Sequence, residues 1–135
     1  MKPFRLKPPP PPSEHQEQVA LIRWARMRAA TLPQLELLFA IANGGERHQI
    51  VAAKLKAEGV KPGAPDLCLP VARGGFHGLY LELKRRGGGR LSPEQKIWLE
   101  RLQEQGYRAT VAYGWDDARQ IIESYLGAAN SGIQG

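Results

Sequence analysis

The segment Gly78–Lys84, GLYLELK, constrains this chain more than any other. Successive side chains of a strand point to opposite faces of the sheet. As a strand, the segment turns Leu81 and Leu83 toward apolar cover and Glu82 and Lys84 to the other side. Upstream, Asp66–Val71 (DLCLPV) reads as a second strand, and Arg73-Gly74-Gly75 between the two makes a hairpin connection. A hairpin of this length brings Asp66, at the start of one strand, beside Glu82 on the next. Two carboxylates at close range repel and need a cation between them. Oxygen ligands suit a hard divalent ion, Mg²⁺ or Mn²⁺. A lysine two places beyond the second carboxylate would sit next to that ion, where it can hold an attacking water and steady charge on a phosphate. Taken singly, E-x-K is a solvated strand face with an ion pair and Pro-Asp is a turn. Their combination, followed by a Gly-rich basic segment and a helix, carries the chemistry.

The remaining elements follow from caps, breakers and periodicity. Ser13-Glu14-His15-Gln16 has capping-box spacing and opens a helix to about Ala30, with Val19, Ile22 and Arg26 and also Leu21 and Ala25 at helical spacing. Thr31-Leu32-Pro33 breaks it. The apolar run Leu35–Ala42 has strand length and ends at the turn signal Asn43-Gly44-Gly45. Glu46–Glu58 reads as a second helix with Ile50, Ala53, Lys54 and Ala57 along one side and Gly59 as its stop. Ser92-Pro93-Glu94-Gln95 opens a third helix to about Gln105. Tyr107–Tyr113 is a strand, and a last helix runs from Trp115 or Asp116 to Leu126. The order α-β-α-β-β-α-β-α predicts an α/β layer fold, a small mixed β-sheet flanked by helices. Residues 1–12 form a proline-rich basic leader, 13–126 the folded domain and 127–135 a flexible tail.

Composition narrows the classes. In 135 residues, 19 Lys and Arg against 13 Asp and Glu leave a formal charge of +6, which points to nucleic acid, an anionic membrane surface or an acidic protein as partner. One cysteine, Cys68, excludes an internal disulfide and a four-cysteine zinc site and suits a reducing cytoplasm. The longest apolar run, Leu37–Ala42, is far below the ~20 residues of a bilayer span, and no apolar stretch follows the basic start as a secretory signal requires. We expect a cytoplasmic protein without a membrane partner.

Five ordered motifs give the chain a recognisable likeness: Ser13-Glu14-His15-Gln16-Glu17-Gln18, Ala42-Asn43-Gly44-Gly45, Gly59 through Leu67 (GVKPGAPDL), Leu81-Glu82-Leu83-Lys84, and Gly89-Arg90-Leu91-Ser92-Pro93-Glu94-Gln95. Together they resemble the PD-(D/E)xK nuclease superfamily, and within it the VRR-NUC (virus-type replication-repair nuclease) domain in its small standalone phage and bacterial form. The likeness covers roughly residues 13–126. It implies Mg²⁺-dependent hydrolysis of DNA phosphodiesters, with Mn²⁺ as substitute. Asp66, Glu82 and the backbone carbonyl of Leu83 would be metal ligands, Lys84 the catalytic lysine, and Gln95 the helix glutamine of the family. A first-helix glutamate would complete the site. Both Glu14 and Glu17 are available; Glu14 is chosen because Glu14, Gln18, Leu21 and Ala25 form one stripe leading into apolar residues. Helix-dipole complement would equally explain Glu14. The small standalone members favour branched or four-way DNA and act as homodimers in replication, recombination or repair. The rivals are a sequence-reading restriction-type nuclease and an inactive DNA-binding protein.

Other residues carry weaker expectations. Lys84-Arg85-Arg86-Gly87-Gly88-Gly89-Arg90 suits phosphate contacts beside the site, and Arg85, Arg86, Arg90, Gln18 and Asn43 are candidate DNA contacts. Gln95 has two competing uses, a contact at the site or closure of the Ser92 capping box. The Pro8–Pro12 tract reads as a stiff solvated leader, with a proline-binding partner as the alternative. Cys68 reads as a small buried residue, and Trp24, Trp98 and Trp115 as core or dimer packing.

Overall fold

A computed structural model of the protein describes residues 3–42 and 49–127. Residues 3–12 form no helix or strand and lie almost wholly exposed. The chain then runs α1 (Glu14–Arg28), a 3-10 turn (Pro33–Leu37), β1 (Phe39–Ala40), α2 (Gln49–Ala57), β2 (Leu67–Leu69), β3 (Leu79–Lys84), α3 (Pro93–Glu104), β4 (Arg108–Tyr113) and α4 (Trp115–Leu126). This is the expected α/β order, with a four-stranded mixed sheet in the order β1-β2-β3-β4. The first two pairings are antiparallel and β3–β4 is parallel, so α3 is the crossover that a parallel pair requires.

Local chemistry sets most boundaries. Ser13 and Ser92 each close a full capping box, accepting from the N–H three residues on while Gln16 and Gln95 reach back to the serine N–H. At the end of α2, Gly59 takes φ +97° while its N–H reaches Lys56 O and that of Val60 reaches Leu55 O, the Schellman pattern that a C′ glycine permits. Arg73 and Phe76 exchange both backbone hydrogen bonds around Gly74 and Gly75, whose φ values of +58° and +86° form the tight turn of the hairpin.

Alternation on β3 divides the protein. Leu79, Leu81 and Leu83 join Leu67 and Leu69 against Leu21 and Ala25 of α1 and Ala118, Ile122 and Leu126 of α4, all buried. Each fully buried leucine there contributes roughly 1.5–3 kcal/mol relative to exposure. Trp24 and Trp115 pack against this core, and Cys68 is buried on the opposite face with its thiol pushed up by desolvation despite a hydrogen bond with Tyr80. Among the described residues, no helix is long and apolar enough to cross a membrane.

Two expectations need correction. The run Leu35–Ala42 is not one strand: Pro33 starts a 3-10 turn in which Leu35 N–H bonds Leu32 O and Leu38 N–H bonds Leu35 O, and only Phe39–Ala40 pairs with β2. Spacing of three turns Leu35 and Leu38 together onto the core, an option that a short apolar run leaves open to either structure. On α2, Ala53, Lys54 and Ala57 are exposed while Ala52 and Leu55 are half-buried, so the inward side is one step round from the expected stripe. The Asn43-Gly44-Gly45 turn and the start of the second helix lie outside the described residues, as does most of the tail.

Candidate active site

The site lies where β3 ends. Leu67 is opposite Leu81 in the antiparallel register, which puts Asp66 opposite Glu82 one step further on. Leu83 N–H donates to Asp66 Oδ2 at 2.7 Å, fixing the aspartate on the stretch of β3 that β2 leaves uncovered. Lys84 Nζ stands 4.0 Å from Glu82 Oε1 and 3.9 Å from Glu14 Oε1. Gln95 Nε2 donates to that same Glu82 oxygen. Thus Asp66, Glu82, Lys84, Glu14 and Gln95, drawn from α1, β3, α3 and the loop before β2, meet at one place.

Gln95 resolves its two uses by serving both. Its Oε1 accepts from Ser92 N–H at 2.8 Å in the capping box, and its Nε2 is left to reach Glu82. An amide carries an acceptor at one end and donors at the other, so the uses do not compete.

Glu82 is the most perturbed group. Burial pushes its carboxyl up to about 9, helped by the hydrogen bond and charge of Asp66 and by Glu14, against the opposing pull of Lys84. Its Oε2 is sealed from solvent and meets no hydrogen-bond donor among the described residues. Asp66 is an acceptor toward it unless one of the two carboxyls holds a proton. This acid pair, with an oxygen lacking a donor, fits a hard cation held by one or two carboxylates and otherwise by water and phosphate. Among the described residues, no three His, Cys, Asp or Glu side chains form a ready-made metal cage.

The two α1 glutamates have different settings. Glu17 is only 1% exposed and its carboxylate is fully engaged. Arg86 Nε and Nη2 donate to it at 3.0 and 3.3 Å, and Trp115 N–H donates at 3.1 Å. Desolvation alone would raise its pKa, but the Arg86 and Trp115 bonds outweigh it and hold the carboxyl below its usual range. Glu14 is half exposed and faces Lys84.

The candidate DNA contacts divide. Arg86, expected at a phosphate, is forked onto Glu17 with its stem against Gly114, where a Cβ would lie 2.6 Å from Arg86 Cγ. The pair engages Nε and Nη2, while the Arg86 side chain stays 54% exposed. Arg85 and Arg90 are exposed on the glycine loop, and Gln18 is half-buried on the Glu14 side of α1. Asn43 lies outside the described residues.

Sequence reasoning gave no role to Gly63 or Gly114. Gly63 has φ +84°, and a Cβ there would come within 2.7 Å of Glu94 Cβ; the Trp98 indole N–H also bonds Pro62 O at 3.2 Å. The loop before Asp66 is therefore clamped onto the first turn of α3, next to Gln95. The glycine in the Gly63-Ala64-Pro65-Asp66 motif was the available signal.

The model of the VRR-NUC domain matches residues 13–116, about three-quarters of the chain. A solved structure described as a VRR_NUC domain protein superposes with a TM-score of 0.73 at 31% identity, over 88% of this chain and 92% of that one. No curated protein matches the chain. With the PD-(D/E)xK residues gathered at the end of β3, the chain belongs to the VRR-NUC domain family, nucleases of the PD-(D/E)xK type.

Proposed function

We propose that the protein is a Mg²⁺-dependent endonuclease that cuts branched DNA, with Asp66, Glu82, Lys84 and Gln95 as its catalytic residues. Membership of a nuclease family makes DNA the substrate and divalent metals the general cofactor class. The observation that supports the reading most is the Asp66–Glu82 acid pair beside Lys84, with one Glu82 oxygen buried and lacking a donor among the described residues. Asp66, Glu82, the Leu83 carbonyl and Glu14 would hold the ion, which supplies Lewis acidity and lowers the pKa of a water when bound.

The chain's own groups do the rest. Leu83 N–H orients Asp66, and Gln95 orients Glu82 by holding one of its oxygens. Lys84, mostly buried between Glu14 and Glu82, holds the attacking water and steadies charge on the phosphate. Arg85 and Arg90, with Gln18 and Asn43, position the DNA through its backbone. Phosphodiesters hydrolyse so slowly that the barrier must fall toward the top of the ~8–23 kcal/mol range that enzymes supply. The likeness to small standalone members favours branched DNA and a homodimer, whose two-fold symmetry presents two sites for paired incisions.

The test incubates the protein with linear, flap and four-way DNA of matched sequence in Mg²⁺, Mn²⁺, Ca²⁺ or chelator. We expect cleavage of branched DNA in Mg²⁺ and Mn²⁺ alone. Asp66→Ala, Glu82→Ala and Lys84→Ala should lose cleavage by about 10²–10³-fold or more while still binding DNA. Cutting at the wild-type rate by all three variants would overturn the site; equal cutting of linear DNA would overturn the preference for branches.

A further inference from the structure

Tyr113 closes β4 directly beside Lys84, its partner in the parallel register, so the two side chains share a face of the sheet. Its backbone is held tightly: Tyr113 N–H bonds Asp117 Oδ2 at 2.9 Å, and the next N–H, that of Gly114, bonds Lys84 O at 2.8 Å. The residue as a whole is nevertheless 43% exposed. The other tyrosines of this face behave differently, since Tyr80 and Tyr107 pack edge to face at 5.2 Å and Tyr107 also meets His77. Among the described residues, no ring pairs with Tyr113.

The ring borders a cavity of about 260 Å³ whose other walls are Gly87, Gly88, Gly89 and Arg90. Of the three consecutive glycines, Gly87 has open space beside it, whereas the Arg85 guanidinium lies against Gly88. Gly89 is also held close to the lysine, since a Cβ there would lie 2.6 Å from Lys84 Cβ. The cavity thus combines a tyrosine, an arginine and main-chain groups next to Lys84.

We propose that this cavity is a subsite for one unpaired nucleotide flanking the scissile phosphate, its base stacked on Tyr113 and its phosphate held by Arg90 and the glycine backbone. The inference rests on the nuclease reading and deepens it. Any base has a π-face that an aromatic side chain can take, but a base inside a duplex already has both faces covered. The cavity, about 260 Å³, is on the scale of a single nucleotide. A subsite of this kind selects DNA with an unpaired position, at a branch, flap or frayed end, without reading its sequence.

The test measures binding in chelator, where no cleavage is needed. The probes are fluorescent duplexes of equal length and sequence, one fully paired and one with an unpaired nucleotide at a branch. The wild type should prefer the second by about tenfold, the size expected from one base–aromatic stack. In Tyr113→Leu the unpaired probe should bind no better than the paired one, and Tyr113→Phe, which keeps the ring, should restore the preference. A wild type without preference, or a Tyr113→Leu variant that keeps it, overturns the subsite. A Tyr113→Leu protein that fails to fold leaves the wild-type preference and the Arg90→Gln variant, which should weaken it, to decide. The same proteins assayed in Mg²⁺ separate the two readings. Preference without cleavage sinks the nuclease reading alone; cleavage with no preference sinks the subsite alone.

Discussion

Glu17 and Glu82 are both almost completely buried, at 1% and 2% exposure, yet burial has opposite consequences for them. Glu17 receives three N–H donors, two from a guanidinium and one from the first residue of α4. Its charge is satisfied and its pKa falls. Among the described residues, Glu82 has one amide donor on one oxygen, a carboxylate as neighbour and no donor on the other oxygen, and its pKa rises. Desolvation is the first cause acting on both, so the partners decide the sign. The fold completes the acid that joins α1, the segment after β3 and α4, and leaves incomplete the acid at the end of β3. An incomplete site is what a cation-binding reaction centre needs before its ion arrives.

The largest effect that tests this contrast is on activity. Glu82→Gln should lower cleavage by about 10²–10³-fold or more, yet leave the metal-free protein at least as stable as wild type near neutral pH, because a neutral amide replaces a strained acid. A melting temperature that falls as far as in the Arg86 variant would break the contrast. Next comes Arg86→Ala, which strands the buried Glu17 charge. Urea denaturation should show a clear loss of stability, smaller than for a fully buried pair because the Arg86 side chain is 54% exposed. An Arg86→Ala protein of unchanged stability would reduce the ion pair to a surface contact.

Stability against pH gives a smaller effect with a definite sign. The folded pKa of Glu82, about 9 without an ion, lies above its ordinary value of 4.5, so the folded state holds a proton that the unfolded state releases. Its contribution is fully present below about pH 4.5 and is lost as pH rises toward 9. Glu17 acts in the opposite sense: its folded pKa lies below 4.5, and its contribution is lost as pH falls below that value. Denaturation in chelator at pH 5, 7 and 9 should show falling stability in wild type and a flatter profile in Glu82→Gln. Parallel profiles would show that Glu82 ionises without cost. The smallest change is Gly63→Ala. Strain at φ +84° and contact with Glu94 should cost about 1–2 kcal/mol in a melting experiment.

How far the sequence could be read depended on the range of each interaction. Strand alternation in Leu79–Lys84 was enough to separate Glu82 and Lys84 from the leucines, and hairpin length was enough to bring Asp66 close. Capping boxes at Ser13 and Ser92 span three residues and were legible as written. The Glu17–Arg86 pair was not, because the partners are 69 residues apart and only packing of α1 against β3 and α4 joins them. The fork of Arg86 onto Glu17 was hidden for the same reason: a basic run does not reveal which cation meets a buried acid. Leu35–Ala42 failed because a short apolar run satisfies both a strand and a 3-10 turn, and Pro33 tipped the balance.

Gln95 ties the start of α3 to Glu82 through the two ends of one amide. Helix ends fray more readily than their middles. Each time the first turn of α3 opens, Glu82 loses its one amide tether, so the acid can be held no more firmly than that turn is wound. Hydrogen exchange at the opening residues of α3 would then be a clock for how often the reaction centre comes undone.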